Sequence, residues 1–168
     1  MTVSDVIDKV IPELHVKYDK ETLLTCFNIV ETDMALNYFL LFAQETFDDV
    51  SEVKFSELKH NITSIIKVNC KYVETEYGIK AKGSDKISYI EYSYLPKTKG
   101  FYDTCEYKED LLNCYISWII SEFFVMQGFY DEADLWQRRY KKYIKEFCNG
   151  HAWFYAFYWC FWKFNYFN

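Results

Sequence analysis

Histidine and cysteine are the side chains in this sequence best suited to bind a metal or to act as nucleophiles. His15, His60 and His151 lie far apart, and none of them belongs to an HExxH pair of the kind that holds zinc. Cys148 and His151 form one Cys-x-x-His, which is half of a zinc site and is better explained by chance adjacency. We therefore expect neither a metal nor a cofactor.

The carboxylates and glycines give no stronger indication of catalysis. Asp48, Asp49 and Glu52 form an acidic cluster, which is typical of a solvated turn. The chain has only 5 glycines, and none of them builds the Gly-rich loop that would hold a phosphate group. The sequence therefore predicts a protein that is not an enzyme and has no catalytic residues.

The charge balance argues against nucleic-acid binding. The net charge of the 168-residue chain is -6, so the basic surface expected of such a protein is lacking, and any contact with DNA should be repulsive or passing. One basic run extends from Arg138 to Lys145 in the C-terminal half of a predicted helix, where cations suit the helix dipole. We interpret this run as a solvated or subunit-facing side rather than an RNA-binding site.

The cysteines and the N-terminal residues favour reduced thiols in the cytosol. The start of the chain lacks the basic and apolar regions of a signal peptide, and no apolar run is long enough to span a membrane. None of the cysteines forms a CxxC pair, so a disulfide framework is not expected. The cysteines are Cys26, Cys70, Cys105, Cys114, Cys148 and Cys160.

Aromatic residues make up 21% of the chain, with 16 tyrosines and 15 phenylalanines. Such residues fill protein cores and also dominate protein–protein interfaces. A single domain of this length can bury a real core but has limited room for so many rings, which favours an obligate oligomer. AT-rich coding, which enriches Phe and Tyr, explains the composition equally well, and both interpretations stay open.

The clearest structural element is a helical hairpin that turns at Gly128. Helices are predicted over 108–127 and 131–148, with Gly128 as the left-handed residue that ends the first and Asp131 as the N-cap of the second. The second helix carries its apolar residues at helical spacing on one stripe. The members of this stripe are Trp136, Tyr140, Tyr143, Ile144 and Phe147.

The N-terminal part of the chain is also predicted to be helical. A short helix is predicted within residues 2–12, where Ser4 can cap a helix through Val10 and Pro12 discourages its continuation. A long helix over 19–45 begins at Asp19 as N-cap, with a break expected near Thr32-Asp33.

The middle of the chain is predicted to contain strands, because it is rich in β-branched and aromatic residues. This insertion covers about 62–96, with strands over 65–68, 72–79 and 86–95 and a turn at Gly83-Ser84-Asp85. The predicted fold is therefore α+β but mainly α. It is a helical bundle with a long C-terminal helical hairpin and an inserted β-hairpin or small antiparallel sheet.

Several short sequence segments follow one another in a characteristic order. They are the opening Met-Thr-Val-Ser-Asp-Val-Ile, then Glu21-Thr22-Leu23-Leu24, Asn28, Phe55-Ser56-Glu57-Leu58, residues 65–68, residues 90–96, Ser121-Glu122-Phe123, residues 128–133 and residues 136–140. In this pattern, residues 1–148 resemble the head–tail adaptor proteins of tailed bacteriophages. These proteins are also called connector or head completion proteins.

The resemblance implies a fold and a role. Members of that family are helical bundles with a β-hairpin or small sheet between the helices, and they have no catalytic residues. Their subunits form a ring, commonly a dodecamer, that binds the portal protein and extends the DNA channel toward the tail or the next neck ring. The chain is then expected to be assembled in the host cytoplasm and to reside in the neck of the virion, where DNA passes through without specific binding.

Residues 149–168 form an aromatic C-terminal arm, which departs from the basic, polar tails expected in that family. Because an exposed segment of this composition would aggregate, it must be covered. It is interpreted as an interface arm on the portal or a neighbouring subunit, as part of the subunit's own core, as a membrane-interface segment, or as an aberrant terminus. A membrane role is disfavoured because basic residues are scarce. The predicted partner-contact residues are Phe129, Tyr130, Trp153, Phe154, Tyr155, Phe157, Trp159, Phe161 and Trp162.

A different class of function also fits the sequence. A small cytosolic binding or regulatory protein, acting as a monomer or dimer, could use the aromatic C-terminal tail to engage a protein partner or a membrane surface.

Overall fold

The computed structural model describes residues 1–150, which form four α-helices and six β-strands. The helices are α1 (Val3–Val10), α2 (Lys20–Asn37), α3 (Leu112–Gln127) and α4 (Tyr130–Gly150). The strands are β1 (Leu41–Val50), β2 (Glu52–Lys54), β3 (Asn61–Val68), β4 (Tyr72–Thr75), β5 (Gly78–Ala81) and β6 (Ile87–Leu95). The chain divides into two compact units. One, the helical unit, contains residues 1–30 and those from 99 onward, and the other, the β unit, contains residues 31–98.

Helix α1 starts with a reciprocal cap. The Thr2 hydroxyl accepts the Asp5 N–H at 3.3 Å, and the Asp5 carboxylate accepts the Thr2 N–H at 2.7 Å. The prediction that Ser4 caps this helix was therefore wrong, because the side chain that closes the first turn lies two residues earlier. One face of α1 is fully buried, and it packs against α3. Its buried residues are Val3, Val6, Ile7 and Val10.

Helix α2 begins as the sequence predicts. The Asp19 carboxylate accepts both the N–H and the hydroxyl of Thr22 at 2.9 Å, so Asp19 acts as the N-cap. Farther along the helix, Phe27 stacks on Tyr115 of α3 with ring centroids 5.2 Å apart and planes 5° apart. Both rings are completely buried, and they join α2 to α3 in the core of the helical unit.

The loop that precedes α3 holds the first residues of the chain. The N–H groups of Val3 and Ser4 donate to the carbonyl groups of Asp103 and Phe101 at 3.0 and 2.9 Å. The Cys105 N–H donates in turn to the Met1 carbonyl at 3.2 Å. The N-terminal residues therefore pair with this loop much as two short strands would.

The β unit contains two antiparallel three-stranded sheets. Their strand orders are β1-β6-β3 and β2-β5-β4, so β6 and β5 are the central strands. Asp49, a non-glycine residue with a φ of 51°, lies near the end of β1, where the pairing with β6 is irregular between Thr46 and Val50. Residues of both sheets meet in one apolar core. Its buried members are Val53, Leu58, Ile79, Ile87, Ile90 and Tyr92.

The predicted fold class was wrong. The described residues form a mixed α+β fold with four helices and two three-stranded antiparallel sheets, rather than a helical bundle carrying one hairpin or small sheet. Strands extend from Leu41 to Leu95, whereas the insertion was predicted over about 62–96. The segment 72–79, predicted as one strand, turns back on itself and forms β4 and the start of β5.

The predicted helix over 19–45 was also wrong in its C-terminal part. Helix α2 continues through Thr32-Asp33 without the expected break and ends at Asn37. From Leu41 to Asp48 the residues alternate between half-buried and exposed, which is the period of a strand. Leu41 satisfies the helical and the strand spacing equally, so helical periodicity carried the prediction past the true end of the helix.

Candidate interaction surface

The turn between α3 and α4 carries two of the predicted partner-contact residues, Phe129 and Tyr130. Gly128 is left-handed, with φ 80° and ψ 13°, and ends α3 as predicted. Its N–H donates to the Val125 carbonyl at 3.0 Å, and the Phe129 N–H donates to the Phe124 carbonyl at 2.9 Å. The turn is therefore fixed by backbone hydrogen bonds, and the two aromatic residues directly follow it.

Helix α4 begins one residue earlier than predicted. Asp131 was expected to be its N-cap, but the helix starts at Tyr130, and the Ala133 N–H donates to the Phe129 carbonyl at 3.0 Å. Asp131 and Glu132 instead lie in the first turn, where their negative charge suits the helix dipole.

The residues around this turn form an exposed apolar surface, which we call the tip patch. Val125, Met126, Phe129 and Tyr130 each have more than two-fifths of their surface exposed, and Tyr130 reaches 69%. The Phe129 ring meets Phe124 edge-on, with centroids 6.2 Å apart and planes 83° apart. Such a patch of aromatic, methionine and aliphatic side chains is typical of protein–protein contact surfaces.

The tip patch stands on a well-packed hairpin. The Ser121 hydroxyl donates to the Ala133 carbonyl at 2.9 Å in a buried position, which joins α3 to α4 near the turn. Farther from the turn, the rings of Trp118 and Tyr140 lie 4.0 Å apart, and the Trp118 indole N–H donates to Glu122 at 2.9 Å. The Ser121–Ala133 hydrogen bond and the Trp118–Tyr140 ring contact hold the two helices together, so the tip patch is presented by a well-packed element.

The predicted apolar stripe of α4 is confirmed, but the structure divides it into two rows. Tyr140 and Ile144 are buried. Trp136, Tyr143 and Phe147 are only half-buried and lie along one side of the buried row, and we call these three residues the aromatic flank. Helical geometry places them within about 40° of one another around the axis. The aromatic flank is thus a narrow apolar line on the surface of the helix.

The basic run of α4 makes its contacts on the same helix. Arg138 pairs with Asp134, and the Lys142 ammonium lies 3.8 Å from the Glu146 carboxylate, with all four side chains more than half exposed. The Arg139 guanidinium lies over the Trp136 ring, 4.3 Å from its centroid. The two exposed ion pairs, which join residues four apart on the helix, contribute little to stability, about 0.3–0.5 kcal/mol each. The arrangement fits a solvated helix face.

The thiols and metal-binding side chains do not converge on a reactive centre in the described part of the chain. Burial raises the pKa of the Cys26 and Cys114 thiols to about 12, so neither is a nucleophile at neutral pH. Among residues 1–150, no group of three His, Cys, Asp or Glu side chains could hold a metal ion. His60 stacks on Tyr94 with centroids 4.0 Å apart, and Asp49 lies in the irregular last part of β1.

Residues of the β unit add exposed apolar side chains that the sequence did not identify as candidates. Tyr77, in the turn between β4 and β5, is 73% exposed, and Phe42, Ile66 and Val73 are each more than two-fifths exposed. Leu41, Ala43 and Phe47 keep the two-residue spacing of a strand, and this spacing was the available signal for β1, which contains Phe42.

The remaining predicted contact residues lie outside the described residues. They are Trp153, Phe154, Tyr155, Phe157, Trp159, Phe161 and Trp162.

No protein-family model matches the chain, and no curated protein matches it. In residues 1–150 none of the helices is both long enough and apolar enough to cross a membrane.

Proposed function

We propose that this protein is a structural virion protein, an adaptor that joins the portal to the tail in the neck of a tailed bacteriophage. In this proposal its subunits form a ring, commonly a dodecamer, that extends the DNA channel. Support comes from the short sequence segments of residues 1–148, which occur in the same order as in head–tail adaptors and resemble them. The observation that carries the proposal is the tip patch, which residues 125–130 build on a well-packed helical hairpin.

The tip patch has the properties of a docking element. Aromatic residues and methionine are enriched in the buried centres of interfaces, where a few such side chains supply most of the binding energy. Because Gly128 and its backbone hydrogen bonds already fix the backbone at Phe129 and Tyr130, little backbone entropy is lost when a partner covers them. The proposed partner of this patch is the portal protein or a neighbouring subunit.

The charge of the chain is compatible with a DNA channel. A subunit with a net charge of -6 repels phosphate, and a ring of such subunits multiplies that effect. DNA would then pass through the ring without specific binding.

The fold implied by the resemblance was wrong, because the described residues contain a β unit of two three-stranded sheets. The proposal therefore draws on the sequence resemblance and the tip patch, and not on the fold. In the assembled neck, its exposed side chains, such as Tyr77 and Val73, are available to the tail or the next ring. The aromatic residues of the arm add further contacts to the portal or a neighbouring subunit. Assembly would take place in the host cytoplasm and end in the virion neck.

Mass photometry of the protein, of the portal encoded by a neighbouring gene, and of their mixture tests the proposal. We expect a discrete complex with about one copy per portal subunit, as a closed ring requires. Tyr130→Ala should weaken portal binding about tenfold, because it truncates an interface aromatic residue.

Tyr102→Ala is the matched control, since Tyr102 is 92% exposed in a loop of the same unit. A portal that stays bare at micromolar concentration contradicts the adaptor function. The protein would then be better explained as a small cytosolic binding or regulatory protein. Equal losses for Tyr130→Ala and Tyr102→Ala would contradict the role of the tip patch alone.

A further inference from the structure

The aromatic flank of α4 leads from the tip patch to the point where the arm begins. Phe147 lies less than one turn before Gly150, the last residue of α4. In the other direction, Tyr143, Trp136 and Phe129 follow one another at intervals of seven residues, which is close to two helical turns. Together these residues mark one apolar line along the whole helix, a distance of about 30 Å.

The residues that follow this line have matching chemistry. The sequence from His151 to Asn168 is HAWFYAFYWCFWKFNYFN, in which Lys163 is the only residue of certain charge. Aromatic rings pair favourably with one another beyond the area that they bury, so a row of half-buried rings is a suitable surface for such a segment. The Arg139 guanidinium already lies over the Trp136 ring, so an arm that docks there shares this ring with Arg139 or displaces it.

The arm also has a suitable length. Residues 151–168, the part of the arm beyond α4, would span about 60 Å if fully extended and about 27 Å if helical, so either conformation would cover most or all of the line along α4. Because residue 151 directly follows the last residue of α4, binding of the arm to the aromatic flank would cost little loop entropy. We propose that residues 151–168 dock on the aromatic flank of α4 in the same chain, with Trp136 and Tyr143 as the central contacts.

The same chain is the favoured occupant because of its effective concentration. A segment joined directly to its binding surface has an effective concentration of about millimolar at that surface. A second copy of the chain competes equally only when its own concentration in solution is as high. The aromatic residues of the arm are too many for one flank to cover, so those on its other side remain available to a partner. The docking is therefore independent of the proposed function, and portal binding and docking can each fail without the other.

Limited chymotrypsin digestion of the full-length chain tests this docking, because the protease cleaves after the aromatic residues of the arm. In the wild-type protein, we expect these bonds to be cleaved slowly compared with those of the urea-unfolded protein. Trp136→Glu should expose the arm and raise its rate of cleavage about tenfold, because protection falls with the free energy of local opening. Trp136→Phe should retain the protection.

Leu135→Glu is the matched control, because Leu135 is exposed and lies about 100° away from Trp136 around the helix. Tyr143→Glu provides a second test if Trp136→Glu lowers the helical circular dichroism signal. Protection that does not depend on protein concentration supports docking within one chain.

Three results would overturn the proposal. The first is rapid cleavage of the wild-type arm, and the second is equal cleavage in the Trp136→Glu, Tyr143→Glu and Leu135→Glu variants. The third is protection that increases with protein concentration together with a dimer mass, which would assign the arm to a second copy.

Discussion

Asn28 holds the backbone of Lys99, a residue 71 positions away in the sequence, with both ends of its side-chain amide. The Asn28 Oδ1 accepts the Lys99 N–H at 2.6 Å, and the Nδ2 donates to the Lys99 carbonyl at 3.1 Å. The same Nδ2 donates to the Leu24 carbonyl within α2 at 3.0 Å. One side chain thus fixes the segment that follows β6 to the side of α2.

Replacing Asn28 with Ala should destabilise the helical unit. The Lys99 N–H and carbonyl would lose their partners in a half-buried position, so we expect the free energy of unfolding to fall by about 1–3 kcal/mol. Urea denaturation followed by circular dichroism measures this change. Asn37→Ala is the control, because the exposed Asn37 side chain donates to Asp33 of the same helix, and its loss should cost less than about 0.5 kcal/mol. Equal losses for the two variants would show that Asn28 does not fix the segment.

Gly78→Ala should separate β2 from β5. A Cβ atom at Gly78 would lie 2.3 Å from the Val53 carbonyl oxygen and 2.9 Å from the Lys54 Cα, and neither backbone atom can move without breaking the strand pair. We expect the free energy of unfolding to fall by about 2–4 kcal/mol. At Gly100, a Cβ atom would meet only the Asp103 carboxylate at 3.7 Å, so Gly100→Ala should be nearly neutral. The prediction fails if the urea midpoints of the two variants agree.

The helical unit was the part of the fold that the sequence predicted best. At Gly128 and Asp19, local chemistry alone decides the structure, since a left-handed residue and an N-cap need only their near neighbours. The β unit was predicted poorly because its strands are defined by partners distant in the chain. Leu41 pairs with Tyr94 and Val53 with Ile79, and no local pattern contains those pairs.

The candidate surface was predicted only in outline. The sequence identified Phe129 and Tyr130 because they follow the helix-ending Gly128. It could not identify Val125 and Met126 as exposed, because in a helix as apolar as α3 hydrophobicity does not distinguish the packed sides from the free one. Which residues of α4 are half-buried also depends on how α3 packs against them, and that was found only in the structure.

Acidification should remove the contribution that the carboxylates of the helix caps make to the stability of the fold. Hydrogen bonds from the backbone and hydroxyl of Thr22 lower the pKa of Asp19 below 3.8, and those of Thr2 lower the pKa of Asp5 in the same way. Since the folded-state pKa is lowered, this stability is present above the unfolded-state pKa and is lost as the pH falls through the folded-state pKa. Asp19→Asn keeps a capping side chain that does not titrate, so its stability should fall less than that of the wild type in acid.

Thermal unfolding of both proteins between neutral pH and pH values below 3.8 measures the difference. Adding Asp5→Asn should flatten the acid limb further, because α1 has an independent cap. Curves that run parallel to that of the wild type at every pH would contradict the assignment of these carboxylates as titrating caps.

The thiols of Cys26 and Cys114 should be protected from alkylation in the folded protein. Burial raises the pKa of each thiol from 9.0 to about 12, which lowers the thiolate fraction about a thousandfold, and the burial itself blocks access. Iodoacetamide followed by peptide mass spectrometry should label Cys70 and Cys148, which are half-buried, before these two. In guanidinium chloride, all of these cysteines should react. Rapid labelling of Cys114 under native conditions would contradict the packing of α3 against α4.

Alkaline pH should destabilise the β unit through Tyr92. Burial, together with a hydrogen bond to the Glu45 carboxylate, raises the pKa of Tyr92 from 10.0 to about 12. The fold therefore favours the protonated phenol, and this stability is present below the unfolded-state pKa and is lost as the pH rises from 10.0 to about 12. Tyr92→Phe removes the titrating group, so its stability should decline less across this range.

At neutral pH, Tyr92→Phe should cost about 1–2 kcal/mol, because the Glu45 carboxylate loses a donor. That carboxylate still accepts the Lys59 N–H at 2.8 Å, which limits the loss. Tyr77→Phe is the matched control, since Tyr77 is exposed and its variant should follow the wild type across the alkaline range. Urea denaturation at a series of pH values distinguishes them. If the Tyr92→Phe curve also follows the wild type, the buried phenol is not the group that the fold keeps protonated.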